Sequence, residues 1–345
     1  MVSDEGKRMQ DSFESARAPV AGEIEAIAVV GLCAAERRRY AMALAGARDY
    51  VFVPAEQTVQ GIEVIDRLVA LVAMTPSVRG FVLEYDDETS CAEIIGALSA
   101  PESRAVLTDL VCVLDLVCLP ADLGCEDRAA LLVDQVEFAS TLVLLEPGER
   151  IDFAGFAAAL GLVGHLAPEA RQFIAEADAV HAPERWDFGG RPPAAGWTAI
   201  LNAEFRPPAH TGGVGACRYE QARPFHPQRL QAVLTAALGE GRWGRIVRSA
   251  GFARLASRPY VSAHWDQAGS LLRLTPLSAG PFVGAGAELL AWGQELAVIG
   301  FDLDEAGLCE ALDRAVLTDA ELLAGPMAWL EYTDEFPAWD TAHRS

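Results

Sequence analysis

Short apolar runs alternate with stretches of helical periodicity in the first half of the chain. The strand candidates, rich in Val, Leu and Ile like strands buried on both faces, are Glu25–Val30, Tyr50–Val53, Gly80–Glu84, Leu110–Leu114 and Thr141–Leu145. The helix candidates, with apolar residues at helical spacing, are Glu36–Ala45, Gly61–Thr75 and Arg128–Phe138. Alternating strands and helices predict an α/β domain with a parallel sheet.

The second half has a different texture, with strands in pairs and two helices. The strand candidates are Trp197–Phe205, Gly215–Arg223, Trp243–Ser257, Leu271–Thr275 and Glu295–Gly300. Helical spacing marks His226–Leu238, where Pro227 suits a first helical turn, and Asp304–Leu317. This pattern predicts a smaller α+β domain.

Proline and glycine mark the joint between the two halves. The stretch Ala182–Gly196 contains Pro183, Pro192, Pro193 and adjacent glycines, as interdomain linkers do. We predict disordered tails at 1–23 and 340–345, an N-terminal domain at 24–181, a linker at 182–196 and a C-terminal domain at 197–339. The polar N-terminus lacks the apolar centre of a signal peptide, and no uncharged apolar run reaches ~18 residues, so we expect a cytoplasmic protein with no membrane partner.

Charge narrows the classes of partner. The chain carries 49 acidic and 27 basic residues, a formal net charge of −22, and Lys7 is its single lysine. This balance argues against general DNA binding by phosphate neutralisation and against a polybasic membrane patch. The seven cysteines, an odd number, are typical of reduced thiols in a cytoplasmic protein.

Six segments in the last third of the chain follow one another in a familiar order. They are RPFHPQRL (Arg223–Leu230), GRIVRSAGFARLASRP (Gly244–Pro259), HWDQAG (His264–Gly269), ELAVIGFDLDEAGL (Glu295–Leu308), ALDRAVLTDAEL (Ala311–Leu322) and DEFPAW (Asp334–Trp339). They resemble the C-terminal domain of the CobW-like P-loop GTPases, proposed zinc and cobalt chaperones. LLVDQVEFAS (Leu131–Ser140) resembles a segment of that family's nucleotide-binding domain. The resemblance implies a P-loop-NTPase-like parallel sheet domain followed by a CobW C-terminal domain.

The phosphate-binding loop departs from the family pattern GxxxxGK[ST]. The chain reads GLCAAERR here, which keeps Gly31 but replaces the second Gly by Glu36, the Lys by Arg37 and the hydroxyl residue by Arg38. The Mg²⁺ ligand is thus lost. Glu36 would repel a polyanion by about 4 kcal/mol per charge at ~4 Å and an effective dielectric of about 20.

The two other diagnostic motifs of the family are missing as well. Where the resemblance implies the guanine-reading NKxD, the chain reads LEPG (Leu145–Gly148), so all three polar functions are gone. The family's CxCC metal motif should fall within Pro54–Ser77, which contains no cysteine. We interpret the chain as a pseudo-enzyme, with no catalytic residue and no cofactor expected.

Several residues remain as candidates for a residual site. Gly31, Arg37 and Asp115, which ends a strand and matches a family Asp, are the candidate nucleotide contacts; Asp115 could equally be a capping residue. Glu84 and Asp86 follow a strand and could hold Mg²⁺ or Zn²⁺, against the alternative of a solvated acidic loop. Cys112, Cys118 and Cys125 have spacings unlike a zinc pair.

Arginine, histidine and tryptophan concentrate in the C-terminal segments. We predict an interaction surface that includes His226, Arg248, His264 and Trp265, because Arg and Trp are frequent interface anchors. The alternative is that the tryptophan lies in the core and the arginines pair with acids.

Three functions stay open at this point. The first is a non-catalytic CobW-like protein acting as an adaptor or regulator in zinc homeostasis or the response to zinc limitation. The second is a divergent GTPase metallochaperone for zinc or cobalt that would use GTP and Mg²⁺. The third is a ribosome-associated factor of the hibernation type, whose acidic charge permits contact with basic ribosomal proteins.

Overall fold

The computed structural model describes residues 24–58, 79–100, 103, 105–146, 148–175, 193–209, 211–277 and 294–339. Its contacts divide the chain into two compact units. The first unit comprises Met1–Asp122, Leu131–Ala159 and Ala167–Ala195, and the second comprises Leu123–Ala130, Leu160–Leu166 and Gly196–Ser345. The predicted tails at 1–23 and 340–345, the helix at Gly61–Thr75 and most of the predicted linker lie outside the described residues.

Six parallel strands form the sheet of the first unit, in the order β2–β3–β1–β4–β5–β6. The strands are β1 (Ile24–Val30), β2 (Val51–Val53), β3 (Gly80–Glu84), β4 (Ala105–Asp115), β5 (Thr141–Leu145) and β6 (Arg171–Ala175). Every residue of β1, β3 and β5 is buried, as continuous apolar strands of a parallel sheet require. The chain passes from β1 to the edge strand β2 on one side and from β4 to β5 on the other, so the topological switch point lies between β1 and β4.

Helices follow most of these strands along the chain. They are α1 (Ala34–Arg48), α2 (Ala55–Thr58), α3 (Cys91–Leu98), α4 (Leu119–Gly124), α5 (Glu126–Phe138) and α6 (Phe153–Leu166). The side chain of Ser90 caps α3 by accepting a hydrogen bond from the backbone N–H of Ala92 (3.2 Å). Neither α3 nor α6 was among the helices predicted from periodicity.

An antiparallel sheet forms the centre of the second unit, in the order β10–β9–β8–β11–β7. The strands are β7 (Val214–Gln221), β8 (Arg245–Ala253), β9 (Ala263–Ala268), β10 (Leu271–Pro276) and β11 (Gln294–Phe301). The helices are α7 (Gly196–Leu201), α8 (Pro227–Leu234), α9 (Glu305–Ala315), α10 (Asp319–Ala324) and α11 (Pro326–Trp329). Leu230 of α8 and Leu308 and Leu312 of α9 share one core with the sheet residues Tyr219 and Trp265. The two sheets confirm the predicted α/β class with a distinct C-terminal α+β part.

One predicted strand is wrong. Trp197–Phe205 does not form a strand, because Gly196–Leu201 is the helix α7. Gly196 begins this helix where a Cβ atom would lie 1.7 Å from the carbonyl oxygen of His165, so only glycine fits. A short apolar run such as Trp197–Leu201 does not alternate between apolar and polar residues, so its pattern fits a strand and a helix equally well. Its shortness favoured a strand, which is why the prediction was wrong. Among the described residues, none of the helices has the length and apolar character needed to cross a bilayer.

Candidate functional site

The loop that follows β1 begins with a glycine in a conformation that other residues rarely adopt. Gly31 has φ of +150°, and a Cβ atom there would lie 2.5 Å from the carbonyl oxygen of Val113. Both the conformation and the close approach to β4 therefore require glycine. The retained Gly31 thus preserves the path of the chain from β1 into α1.

Arg37 closes this loop from within. Its side chain is buried, its Nη1 donates to the carbonyl oxygen of Gly31 at 2.5 Å, and its Nε donates to Glu84 Oε1 at 3.2 Å. The guanidinium therefore binds the first residue of the loop and the end of β3 at the same time. Because the Arg37 guanidinium is bonded to these two protein acceptors, it is not directed toward a bound phosphate.

Glu84 is the acceptor at the centre of this network. It is fully buried, and its Oε2 accepts from Arg38 Nε (3.0 Å) and from the backbone N–H of Ala55 (3.3 Å). Arg38 also donates to Glu56 Oε1 at 2.7 Å. Both oxygens of Glu84 are therefore engaged by guanidinium or amide donors, which leaves this carboxylate poorly suited to a metal ion.

The second predicted metal ligand, Asp86, has a separate local role. Its Oδ1 accepts from the backbone N–H groups of Glu88 (3.2 Å) and Thr89 (3.0 Å) and from the Thr89 hydroxyl (2.6 Å). This is the pattern of an aspartate that organises a turn. The structure therefore places Glu84 and Asp86 in two different hydrogen-bond networks.

A bound Mg²⁺–nucleotide does not fit the residues that are present. The Lys position holds Arg37, whose guanidinium is occupied by Gly31 and Glu84, and the position of the Mg²⁺-binding hydroxyl holds Arg38, bonded to Glu84 and Glu56. At the guanine-reading position, Leu145 belongs to the hydrophobic core and offers no polar atom. No step of nucleotide chemistry follows from this arrangement.

Asp115 lies in a different constellation at the carboxyl end of β4. Its Oδ1 accepts from the backbone N–H of Val117 (2.9 Å), and its Oδ2 lies 3.6 Å from Cys118 Sγ and 3.9 Å from Arg150 Nη1. The sulfur atoms of Cys33 and Cys118 and a carboxylate oxygen of Asp115 all lie within 4.8 Å of one another. The sequence analysis missed this cluster because Cys33 and Cys118 come from loops far apart in the chain. The strand order would have revealed it, since the two loops follow neighbouring strands at the same edge of the sheet.

The two thiols of this cluster are held in their neutral form. Burial raises the pKa of Cys33 to about 12, with further contributions from Cys118 and Asp115. The pKa of Cys118 is also raised, first by burial and then by the charge of Asp115. The charge of Asp122 also raises the pKa of both thiols. The two carboxylates thus create a negative potential around two half-buried cysteines.

Two members of the predicted interaction surface lie inside the second unit, contrary to the prediction. Trp265 is 3% exposed in the core and donates its indole N–H to Ser249 Oγ (2.8 Å). Arg248 is 5% exposed and bonds the Asp266 carboxylate and the carbonyl oxygen of Gln267 (3.1 Å). Trp265 is buried because its large apolar ring packs in the core while its indole N–H finds a partner there. Arg248 is buried because its guanidinium is paired with acceptors inside the protein.

The two histidines of that surface are partly exposed and lie in separate surroundings. The ring of His226, the residue before α8, lies 4.4 Å from the ring of Tyr332. His264 in β9 packs near Trp197 (6.1 Å) and Phe252 (6.2 Å). Burial lowers the pKa of both imidazoles, which favours their neutral form at neutral pH.

Comparisons with known proteins agree with this architecture. The model of the cobalamin synthesis protein cobW C-terminal domain matches residues 214–316. The chain is 30% identical over 229 residues to zinc-regulated GTPase metalloprotein activator 1 of Dictyostelium discoideum, covering 59% of this chain and 47% of that protein. It is 30% identical over 258 residues to a zinc chaperone of Mycobacterium tuberculosis, covering 64% of this chain and 58% of that protein.

The chain therefore spans about half the length of the curated relatives that it matches. Among solved structures, a Zn(II)-bound triple mutant of the YjiA GTPase overlaps 86% of this chain and 99% of its own, with a TM-score of 0.39 and 12% identity. The Zn(II)-bound YjiA GTPase from E. coli overlaps the same shares with a TM-score of 0.34.

Proposed function

This chain is a CobW-like protein with a CobW C-terminal domain at residues 214–316, and from this premise we propose that it is a non-catalytic member acting by binding, as an adaptor or regulator in zinc homeostasis. The side chain of Arg37 supports the non-catalytic part of this function. It occupies the lysine position of the phosphate-binding loop and is bonded to Gly31 and Glu84. The names of the two curated relatives, a zinc-regulated activator and a zinc chaperone, support the zinc part.

The electrostatics of the loop add to this support. A nucleotide would have to displace a buried guanidinium from a buried carboxylate, which leaves Glu84 without its charge partner. Breaking a buried pair in this way costs about 3–5 kcal/mol, a loss that phosphate contacts would first have to offset. The half-buried Glu36 places a further carboxylate in this loop, and its negative charge repels the phosphates of a nucleotide.

The chemistry of the chain favours a protein partner in the cytoplasm. A net charge of −22 disfavours nucleic acid and suits a partner with a basic surface. All seven cysteines are free thiols, as is usual in reducing compartments. Cosedimentation of the chain with ribosomes from zinc-starved cells distinguishes a ribosomal partner from a partner outside the ribosome.

Calorimetric titration of the full chain with GTP and Mg²⁺ tests the non-catalytic part. ATP serves as a second nucleotide, and a P-loop GTPase with an intact GxxxxGK[ST] loop serves as the positive control. We expect no saturable heat up to ~1 mM nucleotide, which corresponds to binding weaker than about −4 kcal/mol. Saturable binding at micromolar GTP would overturn this part and favour the divergent GTPase.

Deletion of the gene in the organism that encodes it tests the zinc part. We expect slower growth of the deletion strain in medium depleted of zinc by a chelator, with recovery when either zinc or the wild-type gene is returned. Equal growth of the deletion strain and its parent across the zinc series would contradict a role in zinc homeostasis.

A further inference from the structure

Two thiols and one carboxylate meet where the sheet of the first unit changes direction. Cys33 is the residue before α1, Asp115 ends β4, and Cys118 follows in the turn before α4. Their strands are neighbours, with Val30 of β1 paired to Cys112 of β4. Both loops therefore leave the same edge of the sheet at the switch point, where open α/β sheets bind ligands.

The separations within this group suit a small tetrahedral ion. The three ligand atoms lie within 4.8 Å of one another. Zn–S bonds of about 2.3 Å place two sulfur atoms of a tetrahedral site about 3.8 Å apart, so a closure of about 1 Å or less suffices. Two sulfur donors select against Mg²⁺ and Ca²⁺, which prefer sets of oxygen ligands.

Asp115 is held in an orientation that a metal ligand needs. The backbone N–H of Val117 fixes its Oδ1 at 2.9 Å, and its Oδ2 faces Cys118 Sγ at 3.6 Å. The same Oδ2 lies 3.9 Å from Nη1 of Arg150, whose largely exposed side chain can move aside for an ion. A carboxylate fixed through one oxygen presents the other in a defined direction, as ligands supported by outer hydrogen bonds do. Cys33 and Cys118 are both only partly buried, so an ion has access to them.

We propose that Cys33, Asp115 and Cys118 form a zinc site with three protein ligands and a fourth position open to water. The Arg37–Glu84 network uses none of these three side chains, so the site goes beyond the proposed function, which requires no metal here. Cysteine binds zinc as the thiolate, so the two thiol protons leave to solvent as the ion binds.

Cobalt substitution of the full chain tests this site directly. The reduced protein is stripped with a chelator, desalted and titrated with Co²⁺, and Zn²⁺ affinity is then measured against a chromophoric competitor. We expect one equivalent of Co²⁺ with sulfur-to-cobalt charge-transfer absorption and the visible bands of a tetrahedral site, both abolished by one equivalent of Zn²⁺.

Variants assign the ligands. Cys33→Ser and Cys118→Ser should each lose the charge-transfer band and weaken Zn²⁺ binding by more than the roughly 10–100-fold that follows loss of a residue that merely orients a ligand. Cys125→Ser, at an exposed thiol of the second unit, and Cys309→Ser, at a thiol adjacent to Cys217, should bind as the wild type does. Circular dichroism confirms that each variant is folded.

Three results would overturn the site. The first is a reduced wild-type chain without tetrahedral Co²⁺ bands, and the second is an equal loss of these bands in Cys125→Ser. The third is a Cys33–Cys118 disulfide that persists under reductant and excludes the metal. The nucleotide titration is read separately, so failure of the zinc site and failure of the non-catalytic function are distinguishable.

Discussion

The guanidinium of Arg37 and the carboxylate of Glu84 form an ion pair, Nε to Oε1 at 3.2 Å, in which neither side chain is more than 4% exposed. The two residues come from the start of α1 and the end of β3. The pair joins the loop after β1 to the end of β3 through protein atoms alone.

Glu84→Gln removes the charge that two guanidiniums share. We expect a loss of about 3–5 kcal/mol in the free energy of unfolding, because Arg37 stays buried without a counter-charge. Urea denaturation of the full chain measures it. Glu56→Gln is the matched control, since Glu56 bonds the same Arg38 from an exposed position, and its effect should be much smaller. Equal effects of the two variants would contradict a central role for Glu84.

Arg37→Lys restores the lysine of the family's loop but should not restore nucleotide binding. A single ammonium group cannot reproduce the planar fork that reaches both Gly31 and Glu84, so we expect a loss of about 1–2 kcal/mol in stability. Glu36 and Arg38 remain in the loop, and calorimetry with GTP and Mg²⁺ should still show no saturable heat. Micromolar binding by this variant would mean that one side chain alone blocks the nucleotide.

Gly31→Ala should destabilise the first unit by about 2 kcal/mol or more. The new Cβ atom would lie 2.5 Å from the Val113 carbonyl oxygen, at a φ of +150° that alanine rarely adopts. Gly46→Ala provides the comparison, because no atom lies within 4 Å of its Cβ position in α1 and we expect a gain of about 0.5–1 kcal/mol. The midpoints of chemical denaturation should therefore shift in opposite directions.

Ser249→Ala tests the buried polar chain of the second unit. Ser249 Oγ accepts from the indole of Trp265 and donates to Gln267 Oε1, each at 2.8 Å. Its removal leaves both groups buried without that partner, which should cost about 1–3 kcal/mol. Ser270 is the control position, because its hydroxyl donates only to Glu126 at an exposed site (2.9 Å) and alanine there should shift the denaturation midpoint much less. A neutral Ser249→Ala would show that the network does not stabilise the core.

Glu321 links the stability of the second unit to pH. Its hydrogen bonds with Arg229, together with those from Thr318, lower its pKa from 4.5 to about 2. A depressed pKa in the folded state gives stability that is present above pH 4.5 and lost as the pH falls toward 2. We expect Glu321→Gln to lose about 1 kcal/mol at pH 7, allowing for partial exposure of the pair, and the difference from wild type to vanish at low pH.

Denaturation of both proteins at a series of pH values measures this difference. Glu310→Gln removes a carboxylate from an exposed pair with Arg314 and is the control, because exposed pairs contribute little to stability. A difference between Glu321→Gln and wild type that stays constant down to pH 2 would contradict the shifted pKa.

Continuous burial explains why much of the first sheet could be predicted. β1, β3 and β5 are buried throughout and mostly apolar, and the sequence pattern located them within a residue or two. β6, which begins with Arg171 and Gln172 and alternates half-buried with exposed residues before the buried Ala175, lacks that signal and was missed. α7 was predicted as a strand because its helical start depends on Gly196 fitting against His165, a contact that no local pattern reveals.

The candidate site also has features that the sequence reveals and features that only the fold reveals. The loss of phosphate-binding chemistry at Glu36, Arg37 and Arg38 is visible in the sequence. The pairing of Arg37 with Glu84, 47 residues away, and the meeting of Cys33 with Cys118 depend on which strands lie side by side. Sequence spacing within one segment carries no information on either, so the cysteine cluster could be found only from the fold.

The closed loop at Gly31 also bears on how the protein responds to the metabolic state of a cell. A domain that binds nucleotide in its folded form is stabilised by RT ln(1 + [L]/Kd), so its folded population follows the nucleotide pool. In this chain Arg37 instead ties the carbonyl oxygen of Gly31 to the carboxylate of Glu84 within the protein. On the proposed function, its thermal unfolding temperature should be the same with and without millimolar GTP, so its folded population would not follow the nucleotide pool.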